Sequence, residues 1–156
     1  MAGIEWKRIC CPVDFSKPAR AALETAVDLA RRFDAELTLF HAFAVAGLTF
    51  PTGDVILTQN MIDRADSEVD GLLVTWKREA EELGAPKVST TKAIGIPFVE
   101  IVRFAREGHF DLIVMGTHGR TGLKHALIGS VAEKVVRKAP CPVLTVRPKA
   151  SRAELP

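Results

Sequence analysis

Asp111-Leu-Ile-Val-Met-Gly-Thr-His-Gly-Arg-Thr-Gly-Leu-Lys-His-Ala-Leu-Ile-Gly-Ser130 decides the fold. Leu112 to Met115 is a short apolar run bounded by turn residues, the pattern of a buried strand. Gly116, Gly119 and Gly122 follow, interleaved with Thr117, His118, Arg120 and Thr121. Gly129-Ser130 then opens a helical pattern, with Val131, Val135 and Val136 expected on one face. Glycine permits backbone at φ > 0 and lets an anion approach main-chain N–H groups. A helix N-terminus adds unpaired donors and a partial positive charge, and Ser130 adds a hydroxyl at or near the cap. A strand, a glycine-rich loop, a small hydroxyl and a helix, in that order, make a phosphate cradle.

Outward from that stretch, the elements alternate. Arg8 to Val13 reads as a first strand, with Pro12 confined to its end or to a bulge. Asp14-Phe15-Ser16 turns the chain, and Lys17-Pro18 starts a helix that runs to Arg32. Glu36 to Ala42 is a second strand. Ala44 to Asn60 is too apolar for a free linker and too irregular for a helix, and reads as a loop or lid. A helix from Met61 to Leu83 follows, with Ile62, Val69, Leu72, Leu73, Trp76 and Leu83 as expected core contacts. Val88 to Ala93 is a third strand. Pro97 to Glu107 is a helix presenting Val99, Ile101, Val102 and Ala105. Pro140-Cys141-Pro142 stops the last helix, and Val143 to Val146 is a final strand. This βαβαβαβαβ order predicts a parallel sheet with helices on both faces and a ligand crevice at the carboxyl ends of its strands. One domain is expected over residues 1–148, with 149–156 a flexible tail.

Composition narrows the class. The 156 residues are 47% hydrophobic and 26% charged, as in a globular domain with a full core. A net charge of +2 gives no reason to expect nucleic acid or an anionic membrane surface as partner. No run approaches the about 18 apolar residues of a membrane helix. The N-terminal MAGIEWKR carries charges where a signal peptide has its apolar core, so the expected compartment is the cytoplasm. Three cysteines form neither a disulfide framework nor a zinc pattern, and Cys10 and Cys11 read as small buried hydrophobes.

The glycine spacing is the most specific signal. Gly116, Gly119, Gly129 and Ser130 spell G-x2-G-x9-G-S. No Lys follows Gly129, so this is not a P-loop, and the spacing is not that of the dinucleotide fingerprint. The stretch resembles the ATP-binding branch of the universal stress protein family, whose signature is G-x2-G-x9-G-[ST]. The likeness extends through Val131 to Val146 and reappears in Pro12-Val-Asp-Phe-Ser16, so that Lys7 to Arg147 fits one such domain.

The resemblance implies a doubly wound, five-stranded parallel sheet of strand order 3-2-1-4-5, the adenine nucleotide alpha hydrolase-like layout. It implies that Asp14 lies against the nucleoside, that Pro12, Val13 and Ala42 flank the base, and that Met115 and Gly116 lie between base and phosphates. Main-chain N–H groups of Gly119, Gly129, Ser130 and Val131 are the expected phosphate ligands, with the Ser130 hydroxyl; His118 and Arg120 are further candidates. From position alone, Asp14 is equally a helix cap or turn former. His41 reads as a packed strand-end histidine and Trp76 as core. The resemblance further implies an ATP-binding sensor or regulator of the stress response and a homodimer paired through Val143–Val146; a bound triphosphate can carry Mg²⁺ or Mn²⁺, and the sequence does not say whether either accompanies it. The alternatives are a slow ATPase or self-phosphorylating enzyme, with His118, Thr121 and Ser130 the nearby candidate groups, and a nucleotide-free dimeric interaction module.

Overall fold

Apolar runs that alternate with helical stripes give nine elements among the described residues of the computed structural model, which are 3–44, 58–119 and 127–149. They are β1 (Arg8–Pro12), α1 (Lys17–Phe33), β2 (Glu36–Phe43), α2 (Gln59–Glu82), β3 (Lys87–Ile94), α3 (Pro97–Glu107), β4 (Leu112–Gly116), α4 (Ser130–Lys138) and β5 (Val143–Val146). The strands form one parallel sheet in the order β3-β2-β1-β4-β5, as expected. At its centre Cys10 lies opposite Thr38 on one side and Ile113 on the other, and Ile113 in turn lies opposite Val143.

Both faces of the sheet are covered, so the strands read as near-continuous apolar runs. Side chains still alternate between faces. Ile9, Cys11, Leu37, Leu39, Leu112 and Val114 pack under α1 and α2, while Cys10, Phe40, Ile113 and Met115 pack under α3 and α4. The α1 side is filled by small residues, Ala19, Ala22, Ala26 and Ala30. The other side carries an aromatic stack in which Phe104 lies 4.4 Å from Phe40 and 5.0 Å from Phe110. Each side buries the larger part of its helix stripe, and that apolar burial is the main stabilising term.

Cap chemistry sets the helix limits. Ser16 accepts from the Ala19 N–H at 3.3 Å, Pro18 sits in the first turn, and Asp34 closes α1 in left-handed backbone. Some expected facings are corrected. Leu72, Leu83, Val99 and Val136 are exposed, whereas Leu73, Trp76, Ile101, Val102, Ala105 and Val135 are buried. Neighbouring helix residues are about 100° apart, so a pair at the margin of the buried stripe is split, as Leu72 and Leu73 or Val135 and Val136 are, whereas a pair astride its centre, such as Ile101 and Val102, is buried together. Gln59 and Asn60, read from sequence as part of the irregular segment, open α2. Residues 45–57 lie outside the described residues, as do 150–156 of the expected tail.

Candidate functional site

The strand order reverses at β1, which has β2 on one side and β4 on the other, while α1 and α4 leave on opposite faces. A topological switch point of this kind opens a crevice at the carboxyl ends of the strands. Here it is a cleft of about 240 Å³ between β1, β2, β4 and the starts of α3 and α4.

One wall is raised by β1 and β2. It consists of Pro12, Val13 and Asp14, with Phe40 and Ala42 beside them. The Val13 N–H donates to the Phe40 carbonyl at 2.8 Å, which carries strand pairing one residue past β1. Asp14 Oδ1 accepts the Ser16 N–H at 3.1 Å and the Ser16 hydroxyl. Ser16, not Asp14, caps α1. The reading of Asp14 as helix cap is thereby replaced: its carboxylate organises the turn and lines the cleft.

The facing wall is the glycine stretch. Met115, Gly116, Thr117, His118 and Gly119 leave β4, and Gly129, Ser130 and Val131 enter α4. The Gly129 N–H donates to the Thr117 carbonyl at 2.6 Å, which ties the two stems together, and the Thr117 N–H donates to Val146 at 3.0 Å, which ties them to β5. His118 Nδ1 lies 3.1 Å from Thr117 Oγ1.

The glycines serve close approach and not handedness. Gly84 and Gly95 are the glycines at positive φ among the described residues, while Gly129 has φ −74°. A Cβ on Gly116 would stand 2.9 Å from the Pro18 carbonyl carbon, and one on Gly129 would stand 3.1 Å from the Thr117 oxygen. A Cβ on Gly119 would meet Asp14 Oδ2 at 2.7 Å, so this glycine is where the two walls touch. Gly129 is the N-cap of α4 and Ser130 is its first residue. The first-turn residues Ser130, Val131 and Ala132 all line the cleft, where helix-start N–H groups and the helix dipole favour an anion.

Eleven of the twelve expected site residues thus line one cleft: Pro12, Val13, Asp14, Ala42, Met115, Gly116, His118, Gly119, Gly129, Ser130 and Val131. Arg120 lies outside the described residues, as do Thr121, Lys124 and His125. Sequence reasoning did not assign Ala19, Phe40, Pro97, Ile101, Thr117 and Ala132 to the site, and they line it too. Thr117 and Ala132 were within reach, since each adjoins an expected site residue. Pro97 and Ile101 come from the start of α3, which follows the outer strand β3, and only the assembled sheet brings them there. In its lining Pro12, Phe40, Ala42, Pro97, Ile101 and Met115 are apolar, Thr117, His118 and Ser130 bring polar side chains, and Gly119 and Gly129 bring backbone alone. Such a lining offers apolar surface together with N–H and hydroxyl donors suited to an anion.

Outside the cleft, Cys10 and Cys11 are the small buried hydrophobes that the sequence suggests. Cys10 and Cys11 are fully buried, and burial pushes the Cys11 thiol up to about 12 and Cys10 well above its ordinary value. Among the described residues no three His, Cys, Asp or Glu side chains gather as a metal site, and no helix is long and apolar enough to cross a membrane.

A parallel sheet wound in both directions, with a largely apolar crevice at its switch point, defines a doubly wound α/β protein. The chain belongs to the universal stress protein family, whose sequence model matches residues 5–147. It is 39% identical over 144 residues to universal stress protein MJ0531 of Methanocaldococcus jannaschii, spanning 91% of this chain and 82% of that protein. Universal stress protein UspA from Lactobacillus plantarum matches in structure with a TM-score of 0.80 at 29% identity, over 93% of this chain and 100% of that one. A universal stress protein solved in complex with cAMP shares the fold with a TM-score of 0.70 at 23% identity, over 94% of this chain and 100% of that one.

Proposed function

We propose that this protein binds an adenine nucleotide, ATP in the first place, in the cleft between β1 and β4, and that occupancy regulates its contacts as part of a stress response. The observation that carries the reading is that one cleft joins a largely apolar lining to the glycine-flanked N-terminus of α4, with Asp14 in the same lining. The base fits the apolar part of the lining, against Pro12, Val13, Ala42 and Met115. Asp14 accepts from a ribose hydroxyl or the adenine amino group. The phosphates fit the N–H groups at Gly119, Ser130 and Val131, with the Ser130 hydroxyl and His118 close by and Arg120 as a further donor; the Gly129 N–H, expected among them, is instead taken by the Thr117 carbonyl. A related protein's complex with cAMP supports an adenine nucleotide as the class of ligand.

Mg²⁺ or Mn²⁺ would be held chiefly by the triphosphate's own oxygens, Asp14 being the one carboxylate among the described cleft residues. Pairing of two copies along β5 is part of the same proposal. This strand has β4 on one side only, and Leu144 is exposed on it. An open edge of this kind is stabilised by a second strand across a two-fold axis. Occupancy of the cleft would act by favouring one of two conformations or assembly states.

Equilibrium titration of the purified protein with labelled ATP tests the reading, alongside chromatography of nucleotide released by heating protein purified without added ligand. Saturable binding at or below millimolar ATP is expected, stronger than for GTP. No saturation by any adenine nucleotide at millimolar concentration overturns it.

A further inference from the structure

Three non-glycine residues among those described have positive φ. Asp34 and His109 lie at helix ends, where left-handed backbone is ordinary. Phe15, at φ +64°, stands in the loop between β1 and α1, in a conformation that a bulky side chain adopts only at a cost in energy. Packing holds it there. Its ring lies 4.7 Å from His41 and meets Trp76 edge-on at 5.4 Å, and the Arg20 guanidinium covers Trp76 at 4.8 Å.

His41 is buried, 6% exposed, and its Nδ1 lies 2.6 Å from the Val13 carbonyl oxygen. A carbonyl only accepts, so Nδ1 carries a proton and donates it. The β1–β2 pairing ends at Pro12 opposite Phe40, and just beyond it the His41 side chain takes over. Val13 is therefore bonded at both backbone polar atoms, its N–H to Phe40 and its carbonyl to His41. Asp14 falls between this fixed residue and the packed Phe15.

We infer that His41 is a positioning residue of the cleft: its Nδ1–H holds the Val13 carbonyl, its ring holds Phe15, and together they aim the Asp14 carboxylate into the cleft. The inference rests on the reading that Asp14 meets the nucleoside of a bound nucleotide. His41 itself lies behind the lining and makes no contact with the ligand.

Two variants separate donor from ring. His41→Phe keeps an aromatic ring against Phe15 and removes the donor. His41→Asn places an amide N–H where Nδ1 stood. Calorimetric titration with ATP and with adenosine, well below each variant's unfolding temperature, is expected to show His41→Phe binding both ligands about tenfold more weakly, the size of one hydrogen bond. His41→Asn is expected to return to within about threefold of the parent. A merely structural histidine would lower the unfolding temperature and leave the folded protein's affinity alone. Undiminished binding by His41→Phe, or binding by His41→Asn as weak as that of His41→Phe, overturns the inference. Should His41→Phe not fold, His41→Leu also removes the donor and carries the same expectation and the same refutation.

If the parent protein binds no nucleotide, the proposed function fails and the inference is decided without ligand. In NMR spectra of the free protein, the amide signals of Ser16 and Gly119, the neighbours of the Asp14 carboxylate, are expected to shift in His41→Phe and return in His41→Asn. Signals that stay put overturn it.

Discussion

On the wall that β1 and β2 raise on one side of the cleft, the Asp14 carboxylate is positioned by side chains, whereas the wall of β4 and α4 is positioned by backbone. On the first, the Asp14 carboxylate depends on Phe15, His41 and Trp76 packing together behind it. On the second, the stems are joined by the Gly129–Thr117 and Thr117–Val146 backbone bonds, and Gly116 lies against the backbone of α1. Side chains can re-pack when a neighbour changes, but a backbone contact at van der Waals distance cannot give without moving an element. Damage to the backbone contacts of the second wall should therefore register in stability as well as binding, and damage to the side chains that aim Asp14 mainly in binding.

Gly116→Ala tests the backbone wall and carries the largest expected effect. The new methyl would stand 2.9 Å from the Pro18 carbonyl carbon and 3.0 Å from its oxygen, in the first turn of α1. Relief requires α1 to shift against β4, so a loss of about 1–3 kcal/mol is expected. Thermal unfolding should show it as a midpoint lower by about 2–4 °C per kcal/mol for a chain of this size. An unchanged midpoint would mean that α1 and β4 part easily, and the contrast between the walls would collapse.

Gly119→Ala probes the point where the walls touch. Its methyl would meet Asp14 Oδ2 at 2.7 Å, but that atom is the end of a side chain and can swing away. Stability should change by no more than about 0.5 kcal/mol. Adenosine affinity should fall several-fold, because the displaced carboxylate no longer meets the nucleoside. A midpoint drop as large as that of Gly116→Ala would show the carboxylate to be held as firmly as backbone.

The same difference explains what could be read in the sequence. A backbone contact that excludes Cβ leaves a glycine at a fixed place, so the second wall was legible in the spacing of Gly116, Gly119 and Gly129. Even so, left-handed backbone was the expected reason for some of these glycines, and close approach is the one found at Gly116 and Gly129. The side-chain wall left less trace. Asp14 was legible from its place after the first strand and from the family motif. The stack behind it joins residues 15, 41 and 76, which share no period and no motif. The fold was legible because strands covered on both faces must be apolar and helices must carry a stripe. Which residue of an adjacent apolar pair, Leu72 or Leu73, faces inward depends on the helix's final rotation, and no local rule sets that. Pro97 and Ile101 reach the cleft only through the sheet order.

Ser130→Ala carries the smallest effect and separates the two walls most cleanly. The N-cap of α4 is Gly129, so the Ser130 hydroxyl is not needed to start the helix. Alanine is the better helix former, and stability should stay level or rise by up to about 0.5 kcal/mol. ATP affinity should fall about three- to tenfold, the loss of one hydrogen bond to a phosphate oxygen. Adenosine has no phosphate and should bind the variant as it binds the parent. Parallel titrations with the two ligands then give opposite patterns for the two substitutions: Gly119→Ala weakens adenosine through Asp14, and Ser130→Ala weakens only the phosphorylated ligand. Equal weakening of adenosine by Ser130→Ala would put the nucleoside, not the phosphates, against the start of α4, and would reverse the orientation of the nucleotide in the cleft.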